Sequence, residues 1–350
     1  MKRKRLALFL GFVFSIAVAA QGQWVKYNVD SSASFRGLSV VSEKVIWASG
    51  TGGTVIRTVD GGKHWTVMTV PGAEKLDFRD IEAFDAKTAY ILSIGNGDSS
   101  RIYKTTDAGK TWKLQFRNAD EKAFFDAIAC WDRNNCIAMS DPVGNKFVLI
   151  NTTNGGAKWN RMNTDKMPRA QDGEAAFAAS GSCLVTQGRN NVFLVTGGSD
   201  SRVFKSTDRG RSWAVFDTPI THGAAGSGIF SIAFYDDKGG VIVGGNYEKP
   251  LETTGNFAVT SDGGSSWRAA AGPMGYRSSV VFASEDTIYT VGSSGSDRSS
   301  DRGKTWEHID DLSYNTVASK GIDVVWAVGE KGMVAQHPFM VRMFKIGTSK

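Results

Sequence analysis

The 350-residue sequence predicts an all-β fold, a seven-bladed β-propeller, on three observations. One turn motif recurs six times, the segments between its copies have strand character, and the two ends of the chain complete one another. The motif reads S/T-x-D/N-x-G-x-x-W, with copies at 58–65, 105–112, 152–159, 206–213, 260–267 and 299–306. Its tryptophans, Trp65, Trp112, Trp159, Trp213, Trp267 and Trp306, are spaced by 47, 47, 54, 54 and 39 residues. Periods of this size belong to propeller blades or solenoid units.

Each motif position has a physical role. The Asp or Asn folds back onto nearby backbone N–H groups, the Gly takes the left-handed conformation, and the Trp buries a ring where the next strand starts. Between copies lie β-branched and aromatic runs such as 44–50, 146–150 and 240–244, broken by Gly, Asp and Asn, with no long helical period. The seventh blade comes from the ends. Residues 313–337 supply three strands without a motif, and 23–29, with Trp24, reads as a fourth strand lacking the rest. Pairing the N-terminal strand into the last blade would close the ring and hide both sheet edges.

The chain opens with Lys2 to Arg5, followed by an uncharged apolar run from Leu6 to the small residues Ala17–Ala20. That is the layout of a secretory signal peptide over residues 1–20, cleaved near Ala20, with a retained anchor as the alternative. The run is shorter than the roughly 20 residues of a membrane span, and no later stretch qualifies. Residues 21–345 then form one propeller domain, exported to the periplasm or the extracellular space and expected to be monomeric.

Four of the charges behind the formal +6 lie in that leader, so the mature chain carries only about +2 and no downstream Lys/Arg cluster. Nucleic acid and anionic membrane are not expected partners. In an oxidising compartment Cys130 and Cys136 either bridge across the hairpin turn 131–135 or stay reduced, while Cys183 reads as a buried apolar thiol. His64, His222, His308 and His337 are scattered, and no His/Cys spacing or Gly-rich loop suits a metal, dinucleotide or phosphate. No cofactor is expected.

The six motifs resemble the Asp-box, or BNR repeat, of sialidases and related propellers. The longer unit, in 45–65 and 322–332, resembles the blade repeat of the photosystem II assembly-factor family, over nearly the whole mature chain. The resemblance implies a propeller that binds a partner protein through one face. It implies little about the site, because a fold hosts many functions.

The aspartates of the motif are expected to be structural, satisfied by their own backbone, with the ligand face at the opposite end of the channel. Aligning the predicted first strands as 35–38, 78–81, 124–127, 172–175, 229–232, 276–279 and 314–317 places Arg36, Arg79 and Arg277 at one position. The next position holds Asp80, Asp126 and Glu174. The expectation is an arginine crescent facing an acidic one around the channel mouth, rimmed by Phe35, Phe78, Phe124, Tyr276 and Tyr314. Its bland counterpart is that these charges pair with one another and merely plug the channel.

Two functions compete. The first is an exported, non-catalytic assembly or protein-binding factor whose arginines take an acidic ligand. The alternative is a sialidase-like glycoside hydrolase or glycan binder, in which the arginines clamp a carboxylate and Asp80, Asp126, Glu174 and Tyr276 are the catalytic candidates. The sialidase signature Phe/Tyr-Arg-Ile-Pro survives only as 35–38, Phe-Arg-Gly-Leu, and sialidases have six blades rather than seven.

Overall fold

The computed structural model describes residues 23–338, so the expected signal peptide lies outside the described residues. Seven antiparallel sheets are arranged as a β-propeller. Blades one to four have their innermost strands at Phe35–Val40, Phe78–Ala83, Phe125–Asp132 and Leu184–Gln187. Blades five to seven begin at Ala224–Phe234, Ser279–Phe282 and Thr316–Ser319. Each first strand packs against the first strand of the next blade, and blade seven meets blade one in the same way. The described residues contain one 3-10 turn, Gly97–Ser99, and no helix long and apolar enough to cross a membrane.

The turn motif works in all six copies as its chemistry requires. In the first, Asp60 Oδ1 accepts from His64 N at 3.0 Å, and Thr58 Oγ1 accepts from Gly62 N at 3.0 Å. Asp107, Asn154, Asp208, Asp262 and Asp301 repeat the bond to the backbone four residues on. The motif glycines all have φ between 80° and 87°, a conformation that penalises any side chain.

These glycines also seat each blade on the one before it. A methyl group at Gly62 would lie 2.6 Å from the Trp326 ring of blade seven, and one at Gly109 would lie 2.4 Å from Met68 Sδ of blade one. Gly156 meets Tyr90, Gly210 meets Ile137, Gly264 meets Phe193 and Gly303 meets Phe257, always in the preceding blade. The motif tryptophans lie over the same seams, as Trp65 does edge-on to Trp326 at 5.7 Å and Trp306 to Phe257 at 5.1 Å. Their rings are half-buried rather than fully enclosed.

The N-terminal strand Val25–Tyr27 pairs antiparallel with Val334–His337, so the seventh blade draws its strands from both ends of the chain. Trp24 anchors this strand: its Nε1 donates to Ser296 Oγ in blade six at 2.9 Å, and its ring lies 5.5 Å from Tyr314 and 5.4 Å from His337. Cys130 and Cys136 face each other in the first hairpin of blade three and are joined by a disulfide. Cys183 is free and buried.

Replacing Trp24 with Ala removes a buried ring and leaves Ser296 short of a partner, so Tm should fall by on the order of 10 °C. Val25→Ala, on the same strand but half exposed, should leave Tm nearly unchanged. Thermal unfolding followed by circular dichroism checks the pair, and equal melting of Trp24→Ala and wild type would show that this strand is dispensable.

Candidate functional site

The first strand of a blade starts at the channel face opposite the turn motifs, and a β-bulge there decides which side chains reach the mouth. Phe35, Phe78, Phe125 and Ile229 pair with Gly50, Ser93, Ser140 and Gly244 of the second strand, and the residue after each is bulged out of the ladder. A bulge re-aims the extra side chain. The bulged residues are Arg36, Arg79, Asp126 and Phe230.

This register corrects the expected crescents. In blade six Ser279 pairs with Val291, which puts Arg277 at the level of Phe35 rather than Arg36. A methyl at Gly292 would sit 3.1 Å from Arg277 Cα, just as one at Gly50 would sit 3.1 Å from Phe35 Cα. A one-residue slip reverses the side chain's direction. Arg277 therefore points into its own blade, fully buried, with Nε donating to Asp297 Oδ2 at 2.7 Å and Nη1 to Ser294 Oγ at 2.8 Å. It is not available to a ligand at the mouth.

Phe35 and Phe78 are likewise fully buried inside their blades instead of rimming the channel. Glu174 is displaced further. The inner strand of blade four is Leu184–Gln187, whereas Glu174–Ala175 pairs with Gly197–Gly198 at the end of the second strand. The Glu174 carboxylate is consumed by Arg202 and by Thr196 Oγ1 at 2.6 Å.

The acids that remain near the channel are largely buried. Asp80 Oδ1 accepts from Ile81 N and Oδ2 from Ile128 N, each at 2.8 Å, and burial nonetheless pushes its carboxyl up to about 7. Asp80 faces the lower channel beside Glu82, whose carboxyl is also pushed up, by burial and then by Asp80. Asp126 is held well above the carboxylate range by burial and by Asp141, and its Oδ2 has no hydrogen-bond partner. Asp141 itself is pushed up to about 6 by burial. The acidic crescent is thus a buried cluster rather than a ligand-facing arc.

The mouth contains a feature that the strand alignment missed. The connection into blade four runs across the channel before that blade's first strand begins. Arg36 Nη1 donates to Ala179 O and Arg79 Nη1 to Ala178 O, both at 3.1 Å. Ser180 Oγ donates to Ser278 O in blade six at 2.9 Å, and the Phe177 ring stacks on Phe230 of blade five at 3.9 Å. Residues 177–180 therefore touch four other blades and form a strap. The sequence hint was the interval of 54 residues between Trp159 and Trp213 against 47 before it.

Above the strap lies a cavity of about 430 Å³, walled by Arg36, Arg79, Phe177, Phe230, Tyr247 and Tyr276, with Tyr314, Asn315 and Glu330 further round. Arg79 is paired through Nε with Asp77 at 2.7 Å. Arg36 has no carboxylate within ion-pairing distance among the described residues, and burial followed by repulsion from Arg79 lowers its pKa. The Tyr276 hydroxyl is held protonated by burial. Among the described residues no group of three or more His, Cys, Asp and Glu is arranged to hold a metal.

No protein-family model matches the chain, and no curated protein matches it. Solved structures do. A structure of YCF48 bound to a D1 peptide is similar with a TM-score of 0.68 and 15% identity, covering 93% of this chain and 100% of that one. YCF48 from Cyanidioschyzon merolae is similar with a TM-score of 0.61 and 15% identity, covering 90% and 98%. U3-55K is similar with a TM-score of 0.59 and 13% identity, covering 91% and 98%. At such identities the likeness is one of fold.

Two measurements check the geometry. Arg277→Ala leaves the buried Asp297 with only His308, at 3.0 Å, as a charged partner and should cost about 3 kcal/mol of stability, whereas Arg36→Ala, which removes one hydrogen bond, should barely move the urea midpoint. The carboxyls set the pH dependence. Asp60, Asp262 and Asp301 are held at about 2, chiefly by hydrogen bonds within their turns, so their contribution is lost as pH falls from about 4. The raised Asp80 and Asp141 act the other way, losing theirs as pH rises from about 4 to between 6 and 7. Urea titrations across pH should show maximal stability near pH 4–5, with a shallower alkaline limb in Asp126→Asn.

Proposed function

We propose that the chain is a protein-binding propeller that takes an acidic segment of a partner chain at its channel mouth, in the manner of an assembly factor, after export directed by residues 1–20. The observation that carries this reading is Arg36, a guanidinium that faces a concave, aromatic-walled cavity without a carboxylate of its own. A neutral backbone carbonyl occupies one of its donors. A carboxylate is the stronger acceptor, because charge-assisted bonds to Arg are about twice as strong as neutral ones. The resemblance of the blade repeat to the photosystem II assembly-factor family supports the same reading, as does the similarity to a propeller solved with a peptide bound.

A sialidase-type mechanism fits the geometry less well. The clamp it requires uses three arginines, and Arg277 is sequestered with Asp297. Its nucleophile would be a Tyr activated by a Glu, whereas Glu174 is bound to Arg202 and Tyr276 is edge-on to Phe230 at 4.7 Å.

Affinity purification of the mature chain, with an Arg36→Ala/Arg79→Ala double mutant in parallel, tests the proposal. Partners retained by wild type should be lost by the mutant, and synthetic peptides from their acidic segments should bind wild type at least tenfold more tightly. Turnover of fluorogenic glycosides that the double mutation abolishes would overturn it in favour of the hydrolase.

A further inference from the structure

The mouth carries an apolar feature that a site for acidic groups does not need. Tyr247, Leu251 and Met274 are 48%, 81% and 58% exposed. They belong to two adjoining segments, since Tyr276 N donates to Pro250 O at 2.9 Å and ties the loop 246–256 to residues 273–276. The other large exposed apolar residues lie elsewhere. Val25, Val67 and Leu114 are on outer strands, and Val59 and Ile322 are on the turn-motif face. Of these exposed residues Tyr247 lines the cavity, and Leu251 and Met274 lie on the two segments that adjoin it.

Tyr247 joins the exposed group to the buried wall. Its ring is edge-on to Phe230 at 6.3 Å and to Tyr276 at 6.5 Å, and Phe230 is stacked in turn on Phe177. An apolar surface thus runs continuously from the strap, up the cavity wall and onto the rim, with Arg36 and Arg79 at its inner end. The strap closes the cavity below, so an occupant must enter from the rim with its anionic group foremost or bent inward. A narrow chain can do this where a folded surface cannot.

Building on the proposed protein-binding role, we propose that Tyr247 and the 246–256 loop form a specificity subsite for a large apolar side chain, carried by a linear peptide next to the carboxylate that Arg36 holds. The two contacts have different physical jobs. Arg36 supplies attraction for any accessible carboxylate and so discriminates little among acidic segments. The apolar subsite selects among them, because burial of an aromatic side chain in a preformed aromatic wall gives a large, shape-dependent gain. Tyr247 is suited to it as a rigid, amphipathic ring with little conformational entropy to lose.

The test is fluorescence polarisation with four labelled glycine–serine octapeptides: one with an aspartate pair next to a phenylalanine, one with the aspartate pair alone, one with the phenylalanine alone, and one with neither. Wild type should bind the first on the order of tenfold more tightly than the second, and the last two hardly at all. Tyr247→Ala should remove the preference for the first over the second, while Arg36→Gln should weaken both.

Equal binding of the first two peptides by wild type, or no effect of Tyr247→Ala, would overturn the subsite and leave the acidic-segment reading standing. Failure of every peptide to bind would overturn both. Sedimentation of the mature chain guards against a second copy as occupant: self-association that Tyr247→Ala abolishes would assign the apolar rim to a dimer and sink the proposal.

Discussion

The seating of each turn glycine on the preceding blade is the contact on which the rest of the propeller depends. At Gly62, Gly109, Gly156, Gly210, Gly264 and Gly303 the absence of a Cβ lets the backbone come against a side chain one blade back. The neighbouring Asp or Asn holds the turn in the shape that makes this approach possible. A small residue at a fixed place in each repeat keeps the seams alike. The aspartates stay ionised well below neutrality because turn N–H and hydroxyl groups aim at them, which makes them cement and leaves them little to offer a substrate.

Closure follows the same logic at the one seam where the chain's two ends meet. Gly62 rests on Trp326 and on Tyr27, which belongs to the strand that enters blade seven from the N-terminal side. Trp24 then ties that strand to blades six and seven through Ser296, Tyr314 and His337. The last blade is held by side chains far apart in sequence, so it cannot be complete until both ends are in place.

At the mouth, the decisive constraint is what a buried charge needs. Arg277 with Asp297, and Glu174 with Arg202, satisfy one another in the blade interior, where an unpaired charge would be costly. Arg36 and Arg79 instead lean on carbonyls of the strap, and among the described residues Arg36 has no acid within ion-pairing distance. Arg36 is thus held between the strap and the aromatic wall of the cavity. The strap lies where the ring's repeat is interrupted, because the longer connection into blade four has room to cross the channel.

The sequence by itself determined the architecture: the fold class, the blade count and the turn chemistry were all legible, because each is encoded locally and repeated. Arg36, Arg79 and Tyr276, which the sequence expected at the mouth, line one cavity. Only the tertiary structure decided which charges are free. Arg277 and Arg36 look equivalent in sequence, yet blade six is offset by one residue, so that Arg277 takes the inward place of Phe35 while Arg36 is the bulged residue that turns to the mouth. Glu174 and the strap fell in a stretch whose inner strand begins about ten residues later than the spacing suggested, and no local signal says that Ala178 and Ala179 would meet arginines 99 and 143 residues away. Register and long-range partners are set by packing around the whole ring, and the residues that show the outcome carry no mark of it in their own neighbourhood.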